Sequence, residues 1–238
     1  MHLTLTLGWL YPDMTQIYGD HGNVLALRKQ CEWLNIELQI RKFEYQESLR
    51  SIGDCDLLFM GGCQDRQQKL IHQDLFQYSD ALINNIVEGM PGLFICGGYQ
   101  LLGSYIQESD GEILKGLGLF KVYTIKDADL THRLVGPLLI ESTYGNLKGF
   151  ENHLGRSFLH DKNEAFGLVI SGEGNNGEDS TEGCVYNNCF GSYLHGPLLA
   201  QNPQFCFALI EKCIKRKYGD DFKLQSTKNW EIGSLCQV

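Results

Sequence analysis

The first half of the chain alternates between strand-like and helix-like segments, and this alternation limits the fold more than any other feature. In the strand-like segments, apolar side chains alternate with polar ones or form short apolar runs, whereas the helix-like segments carry an apolar stripe at helical spacing. Strands joined in this order by helices predict a parallel sheet with helices on both faces. The strand-like segments are residues 2–9, 36–43 and 56–60, and the helix-like segments are residues 23–34 and 65–88.

A fourth apolar segment, residues 92–95, runs directly into Cys96, which two glycines follow before a helical pattern begins. A strand, a sharp turn with a nucleophile and a helix together form a nucleophile elbow. Glycines suit such a turn because it has no room for side chains beside the sulfur. The positive end of the following helix favours the thiolate form of the cysteine. Although an isolated cysteine is more often an inert core residue, the two glycines favour a catalytic thiol at Cys96.

The second half of the chain contains mainly short strand-like segments, for which an α+β domain with antiparallel strands is the better alternative. Taken with the first half, the pattern predicts one α/β domain of three layers, with a mostly parallel central sheet and helices on both faces. We expect this domain to span residues 1–217 and a polar tail to occupy residues 218–238. The predicted strands are residues 119–125, 134–142, 168–171, 183–186 and 190–194, followed by a helix at 203–217; residues 172–182 are predicted to form an exposed loop.

Composition excludes several classes of protein. The net charge of −9 argues against binding to nucleic acid, because neutralising phosphates requires clustered lysine and arginine. No apolar run has the length of a membrane span, and the N-terminal residues lack the features of a signal peptide, so we expect a cytoplasmic protein. The nine cysteines are scattered and include no Cys-x-x-Cys pair, so we predict reduced thiols and no metal site.

A catalytic cysteine requires a base, and His195 is the best candidate among the seven histidines. It follows the predicted strand at residues 190–194 and precedes a Gly-Pro pair that turns the chain. Its place therefore corresponds to the carboxyl edge of the sheet, where catalytic groups collect in open α/β folds. The alternative is a histidine with a surface or capping role.

Two further groups have candidate roles in binding. A tetrahedral intermediate needs amide donors for its oxyanion, and the N–H of Gly97 and the glycine pair Gly61–Gly62 could supply them. Arg133 precedes a predicted strand in a segment with few cations, and a guanidinium binds a carboxylate through two parallel hydrogen bonds. The alternatives are an ordinary strand-end turn for the glycine pair and a solvated surface side chain for Arg133.

The elbow, Cys-Gly-Gly-Tyr-Gln-Leu-Leu at residues 96–102, resembles that of class I glutamine amidotransferases, which have a flavodoxin-like fold. The resemblance implies that Cys96 hydrolyses glutamine through a thioester, that Gly62 supplies the second oxyanion donor and that Gln100 shapes the substrate pocket. The usual His-Pro-Glu motif is replaced here by His-Gly-Pro-Leu from His195, so the usual orienting glutamate is missing. This departure resembles the cobyric-acid-synthase-like branch of the family. A group from elsewhere must then hold the imidazole.

Three further segments resemble the GatD family, the glutaminase subunits of lipid II isoglutaminyl synthases. They are residues 18–23 (Tyr-Gly-Asp-His-Gly-Asn), 149–153 (Gly-Phe-Glu-Asn-His) and 174–176 (Gly-Asn-Asn). The resemblance, which covers about residues 1–217, implies that Arg133 binds substrate. It also implies a Mur-ligase-like partner of the MurT type, which holds ATP and Mg²⁺ and uses the ammonia to amidate the D-glutamate of lipid II.

The chain has no Gly-x4-Gly-Lys-Ser/Thr loop of its own, so we expect no cofactor in it and an ATP site on another polypeptide. Through the lipid-linked substrate, the protein would work at the inner face of the membrane. Three alternatives remain open at this point. They are an amidotransferase that serves another carboxylate, a stand-alone γ-glutamyl hydrolase, and a non-catalytic subunit derived from an amidotransferase.

Overall fold

The computed structural model describes residues 2–222 and 224. Much of the predicted polar tail, residues 218–238, therefore lies outside the described residues, and the predicted extent of the domain, residues 1–217, stays a prediction. None of the described helices combines the length and the apolar character needed to cross a membrane.

Helices and strands alternate through the first hundred residues, as the sequence pattern predicts, and short strands dominate afterwards. The strands are β1 (Leu3–Leu10), β2 (Ile36–Phe43), β3 (Leu57–Met60), β4 (Gly92–Ile95), β5 (Tyr105–Gln107), β6 (Ile113–Lys115), β7 (Val122–Lys126), β8 (Leu134–Ser142), β9 (Gly145–His153), β10 (Gly155–Leu159), β11 (Gly167–Ser171), β12 (Thr181–Glu182), β13 (Cys184–Tyr186) and β14 (Cys189–Ser192). The α-helices are α1 (Gly22–Trp33), α2 (Asp65–Leu75), α3 (Ser79–Val87), α4 (Gly97–Leu101), α5 (Leu198–Gln201) and α6 (Pro203–Tyr218).

Six strands form the central sheet, in the order β13-β14-β4-β3-β1-β2. All neighbouring pairs are parallel except β13 with β14. This arrangement confirms the predicted α/β class with a mostly parallel central sheet. β3 and β4 are fully buried and apolar, as strands in the middle of a covered parallel sheet must be.

The strand order also explains how helices come to cover the sheet. The connection from β1 through α1 to β2 moves along the sheet in one direction, and the connection from β3 through α2 and α3 to β4 moves in the other. Because both crossovers are right-handed in such folds, α1 lies on one face and α2 and α3 lie on the opposite face. The chain therefore reverses direction between β1 and β3, which is where open α/β sheets form their binding crevices.

Two smaller sheets of four strands lie outside the central one, in the orders β10-β7-β5-β6 and β12-β11-β8-β9. Most of their neighbouring strands are antiparallel, so the antiparallel alternative describes this part of the chain correctly. The long hairpin β8–β9 is joined to the central sheet through a bridge between Phe150 and His195. This bridge connects the smaller sheet directly to the predicted catalytic histidine.

Two local predictions, one of a helix and one of an exposed loop, do not fully match the structure. The single helix predicted at residues 65–88 is interrupted by a 3₁₀ turn at Phe76–Tyr78 between α2 and α3. The predicted exposed loop at residues 172–182 is exposed only in part, because residues 174–176 and 181–182 are buried. The Asn175 side chain donates to the carbonyl of Gly183 (3.0 Å) and accepts from its N–H (3.0 Å). Polar side chains can occupy the interior when they are hydrogen-bonded in this way.

Candidate active site

The two predicted catalytic residues meet at the carboxyl edge of the central sheet. Cys96 follows β4 directly, and His195 lies three residues beyond β14. These strands are parallel neighbours, with Ser192 opposite Ile95. The topology thus brings together two residues that are far apart in the sequence.

Cys96 has the backbone conformation of a nucleophile elbow. Its φ of 50° and ψ of −105° lie in a region that residues with side chains rarely adopt. The Cys96 N–H donates to the carbonyl of Ser192 (2.8 Å), and the Cys96 carbonyl accepts from the N–H of Gln100 (2.9 Å). The neighbouring strand β14 and the following helix α4 therefore hold the strained turn. At 7% exposure, the side chain is accessible only from the cavity that it lines.

His195 is fully buried, and its Nδ1 lies 2.9 Å from Oδ1 and 3.1 Å from Oδ2 of Asp20. A carboxylate can only accept, so Nδ1 carries a proton and donates it to Asp20. Nε2 has no hydrogen-bond partner within the described part of the chain. This nitrogen is therefore the one available to exchange a proton with the Cys96 sulfur. The ring of Tyr18 covers the imidazole edge-on, with ring centres 5.0 Å apart.

Burial lowers the pKa of His195, whereas neighbouring charges and hydrogen bonds raise it. Burial disfavours the imidazolium, but the Asp20 carboxylate and the Cys96 sulfur favour it more strongly, so the pKa of His195 is raised above its ordinary value. The imidazole beside Cys96 therefore holds a proton that it can give up. The site thus pairs a nucleophile with an acid that can later protonate a leaving group.

Asp20 is the residue that the sequence analysis failed to identify. The only signal at residues 18–23 is their resemblance to a family, which by itself indicates no role for the carboxylate. Asp20 is completely buried, and the loop after β1 places it at the same sheet edge as Cys96. An acidic residue soon after the first strand of a parallel sheet could have been proposed on that ground alone.

The predicted oxyanion role of Gly62 requires a correction. The Gly62 N–H donates to Oδ2 of Asp20 (2.7 Å), so it is not available to a substrate oxygen. A side chain at position 62 would place its Cβ 2.9 Å from Cε1 of His195, which explains the glycine. Gly62 therefore orients the carboxylate that holds His195.

The neighbouring amide of Cys63 fits the oxyanion role better. A Cβ built on Gly97 would lie 3.2 Å from the Cys63 nitrogen, so these two residues are in close contact. Neither the Cys63 N–H nor the Gly97 N–H has an acceptor among residues 2–222 and 224. Two free amides next to the nucleophile are the arrangement that a tetrahedral oxyanion requires.

Gln100 is buried next to the elbow and is held at both ends of its amide. Its Oε1 accepts from Gln68 (2.8 Å), and its Nε2 donates to the hydroxyl of Tyr193 (2.9 Å). Gln68 in turn accepts from Lys126 (2.8 Å), a buried lysine that also pairs with Glu108 (3.0 Å). Gln100 lines the cavity, but its amide serves this network in the structure.

A cavity of about 310 Å³ opens above Cys96. Arg133 lines it together with Cys96 and Gln100, so the structure brings these three predicted residues together, whereas Gly62, Gly97 and His195 do not line it. Arg133 is exposed, and within the described residues its one hydrogen bond runs from Nη1 to Oδ1 of Asn152 (3.1 Å). Much of the guanidinium is therefore free to bind a carboxylate.

A larger groove of about 470 Å³ lies between α1 and the helices α5 and α6. Its wall is mainly apolar and includes no histidine or carboxylate, and none of the predicted site residues lines it. The positions of the predicted site residues therefore favour the smaller cavity as the place of the reaction.

The other described cysteines do not compete with Cys96. All eight cysteines in the described part of the chain are free and buried. Burial raises the pKa of Cys63, which lines the same cavity as Cys96, so its thiol stays protonated at neutral pH. Within those residues, no group of histidine, cysteine, aspartate or glutamate side chains is arranged to hold a metal ion.

Comparisons with known proteins agree with this geometry. The model of the CobB/CobQ-like glutamine amidotransferase domain matches residues 6–203. The chain is 42% identical to the GatD subunit of lipid II isoglutaminyl synthase from Staphylococcus aureus, over 90% of this chain and 86% of that protein. It is 37% identical to the same subunit from Streptococcus pneumoniae, over 92% and 84%. The chain therefore belongs to the CobB/CobQ-like glutamine amidotransferase family.

More distant relatives lead to the same family. Cobyric acid synthase from Caldanaerobacter subterraneus is 30% identical over 74% of this chain, a region that corresponds to only 37% of that enzyme. A crystal structure of a glutamine amidotransferase shares the fold, with a TM-score of 0.51 at 17% identity, covering 87% of this chain and 98% of that one. The family match and the curated relatives confirm the predicted family, its cobyric-acid-synthase-like branch and the prediction that the protein is an amidotransferase enzyme.

The Asp20–His195 contact can be tested by replacing Asp20 with Asn. Without the carboxylate, the Cys96 sulfur alone opposes the effect of burial on His195, so the imidazolium should lose its proton at lower pH than in the wild type. Glutaminase activity should fall roughly a hundredfold or more, because the imidazole loses its orientation and its charge partner. Histidine NMR titration and steady-state kinetics measure the two effects. Asp13→Asn, an exposed change in the same loop, is the control; an unchanged His195 titration in Asp20→Asn would contradict the assignment.

Cys96 and His195 should act as one unit. We expect Cys96→Ala to lower glutaminase activity by about a thousandfold or more, and His195→Ala to lower it to a similar extent. The double variant should be little worse than either single variant, since each change already disables the same pair. Cys63→Ala, which removes the neighbouring thiol but keeps its backbone N–H, should retain activity. Additive losses in the cycle would show that the two residues act separately.

Proposed function

We propose that this chain is the glutaminase subunit of a two-subunit ligase that amidates the D-glutamate of lipid II to D-isoglutamine during peptidoglycan synthesis. The observation that supports it most is the Cys96–His195–Asp20 group beside a cavity lined by Arg133. The likeness to two GatD subunits over most of their length supports the choice of acceptor. The subunit would work in the cytoplasm, where the lipid-linked acceptor is made.

The proposed reaction hydrolyses glutamine in two steps. The Cys96 thiolate attacks the side-chain amide carbon, and the N–H groups of Gly97 and Cys63 stabilise the oxyanion that forms. His195 then gives its Nε2 proton to the leaving nitrogen, and ammonia departs as the thioester forms. In the second step neutral His195 takes a proton from water, the hydroxide attacks the thioester, and glutamate leaves with Cys96 restored.

Arg133 would bind the α-carboxylate of glutamine. Its position on the cavity wall and its largely free guanidinium support this role. Asn152 holds Nη1 and leaves the other nitrogens for a bidentate contact. Gln100, whose amide is held by Gln68 and Tyr193, would shape the pocket without binding the substrate charges.

The ammonia has to reach a second protein. Free ammonia at neutral pH is mostly ammonium, which is not a nucleophile, so it must pass to its acceptor before it takes up a proton. We infer that a Mur-ligase-like subunit of the MurT type binds over the cavity that contains Cys96 and encloses the path. That partner would hold ATP and Mg²⁺ and activate the acceptor carboxylate, while this chain needs no cofactor of its own.

The proposed acceptor is tested with the purified complex, lipid II, ATP, Mg²⁺ and either glutamine or an ammonium salt. Mass spectrometry of the stem peptide should show the slight loss of mass that accompanies conversion of a carboxylic acid to an amide. With Cys96→Ala in the complex, glutamine-driven amidation should stop, while ammonia-driven amidation should continue because only the ammonia source is lost. Lipid II left unamidated by the wild-type complex, together with amidation of a corrinoid or another carboxylate, would refute the proposed acceptor. Full glutaminase activity of this chain without a partner would favour a stand-alone γ-glutamyl hydrolase.

Binding of glutamine to a Cys96→Ser variant tests the role of Arg133. Adding Arg133→Ala should weaken binding about 10- to 100-fold, the usual range for a lost charged hydrogen-bonding group. Arg133→Lys should weaken it nearly as much, because an ammonium cannot form the two parallel bonds. Arg41→Lys, a change at an arginine outside the cavity that pairs with Asp54, serves as the control. Isothermal calorimetry gives the affinities, and an unchanged affinity in Arg133→Ala would remove Arg133 from the site.

A further inference from the structure

Glu182, at the end of β12, is an acidic residue in an unusual place. Its side chain is fully buried, and no lysine, arginine or histidine pairs with it among residues 2–222 and 224. Burial raises the pKa of Glu182 to about 7, although hydrogen bonds from Ser192 and Tyr193 oppose this effect. A buried carboxyl group without a cation is costly, and an amide or a hydroxyl could accept the same hydrogen bonds at lower cost.

Both hydrogen bonds that Glu182 accepts come from the end of β14. Its Oε1 accepts from the Ser192 hydroxyl (2.7 Å) and from the Tyr193 N–H (2.9 Å). The Ser192 hydroxyl oxygen in turn accepts from the N–H of Leu194 (3.0 Å). One carboxylate oxygen therefore holds Ser192 and Tyr193 directly, and it holds Leu194 through the Ser192 hydroxyl. The next residue along the chain is His195.

The same strand end also holds the nucleophile. The carbonyl of Ser192 accepts from the N–H of Cys96 (2.8 Å). Ser192 is thus bonded through its hydroxyl to Glu182 and through its carbonyl to Cys96, while the backbone of His195 is bonded to Phe150 on β9. A shift of Ser192 would change the separation between the sulfur and the imidazole.

We propose that Glu182 is a positioning residue for the glutaminase reaction, which holds the end of β14 so that Cys96 and His195 stay at reacting distance. It acts through Ser192 and Tyr193 and does not touch substrate. The inference rests on the proposed thiol chemistry at Cys96, but not on the identity of the acceptor or of the partner. A buried acid suits this role because a charged or strongly polar acceptor forms stronger hydrogen bonds than a neutral amide.

The test compares Glu182→Ala, Glu182→Gln and Ser192→Ala with the wild type. Glu182→Ala should lower kcat for glutamine roughly a hundredfold, the cost of a misplaced catalytic group, with little change in KM. Glu182→Gln keeps an acceptor oxygen in place and should recover most of that loss. Ser192→Ala removes one of the two donors to Glu182 and should lower kcat to an intermediate level. This variant also allows the test to be made if Glu182→Ala does not fold.

A second readout needs neither glutamine nor a partner. The rate at which iodoacetamide alkylates Cys96, followed by peptide mass spectrometry across pH, reports the thiolate. In Glu182→Ala or Ser192→Ala, the pH at which the rate reaches half its maximum should move upward, because the imidazolium lies farther from the sulfur. This midpoint, unlike the rate itself, does not depend on how exposed the sulfur is.

Asp56→Asn is the matched control for lost stability. Asp56 is a buried carboxylate before β3, at the opposite edge of the central sheet, where it accepts from the Thr6 N–H (2.8 Å) and pairs with Lys217 (2.8 Å). This variant should lose stability but keep kcat and the alkylation profile. Wild-type kcat and an unmoved profile in the Glu182 and Ser192 variants would overturn the proposal. So would losses in Asp56→Asn that match theirs.

Discussion

The hydrogen bond between Asp20 and His195 is the interaction on which the rest of the site depends. It joins the loop after β1 to the end of β14, two places 175 residues apart in the sequence. It fixes the imidazole tautomer and offsets the burial of the charged ring. Because both side chains are fully buried, neither solvent nor salt screens the contact. The same carboxylate accepts the N–H of Gly62, so the loop after β3 is held by the same group.

The topology of the sheet makes this convergence possible. Asp20, Gly62, Cys96 and His195 follow β1, β3, β4 and β14, which are consecutive neighbours in the central sheet. Their carboxyl ends meet at one edge, as parallel strands require. The missing glutamate of the usual family motif is thereby replaced by an aspartate from the other side of the point where the chain reverses direction. We infer that Asp20 orients the imidazole of His195 in place of that glutamate.

Much of the fold and part of the site could be predicted from the sequence, since both depend on local patterns. Local sequence patterns predicted the strands at residues 92–95 and 134–142 with their observed bounds. Contacts between distant residues leave no such pattern, which is why the partner of His195 could not be named.

The exposure of residues 172–182 and the role of the Gly62 N–H also could not be predicted, because both depend on contacts between distant residues. The composition of residues 172–182 predicted exposure throughout, but hydrogen bonds between Asn175 and Gly183 allow part of this segment to be buried. Gly62 occupies the predicted place beside the nucleophile, but its N–H is already donated to Asp20. In both cases the chemistry of the residue was visible in the sequence, whereas its hydrogen-bond partner depended on tertiary structure.

Covalent labelling tests most directly whether Cys96 is a nucleophile activated by His195. The protein would be treated with a diazoketone analogue of glutamine, and the adduct would be located by peptide mass spectrometry. We predict one adduct per chain, on Cys96, with labelling largely lost in His195→Ala and slowed in the presence of glutamine. Labelling mainly at Cys63 or another thiol, or labelling of Cys96 that does not depend on His195, would contradict it.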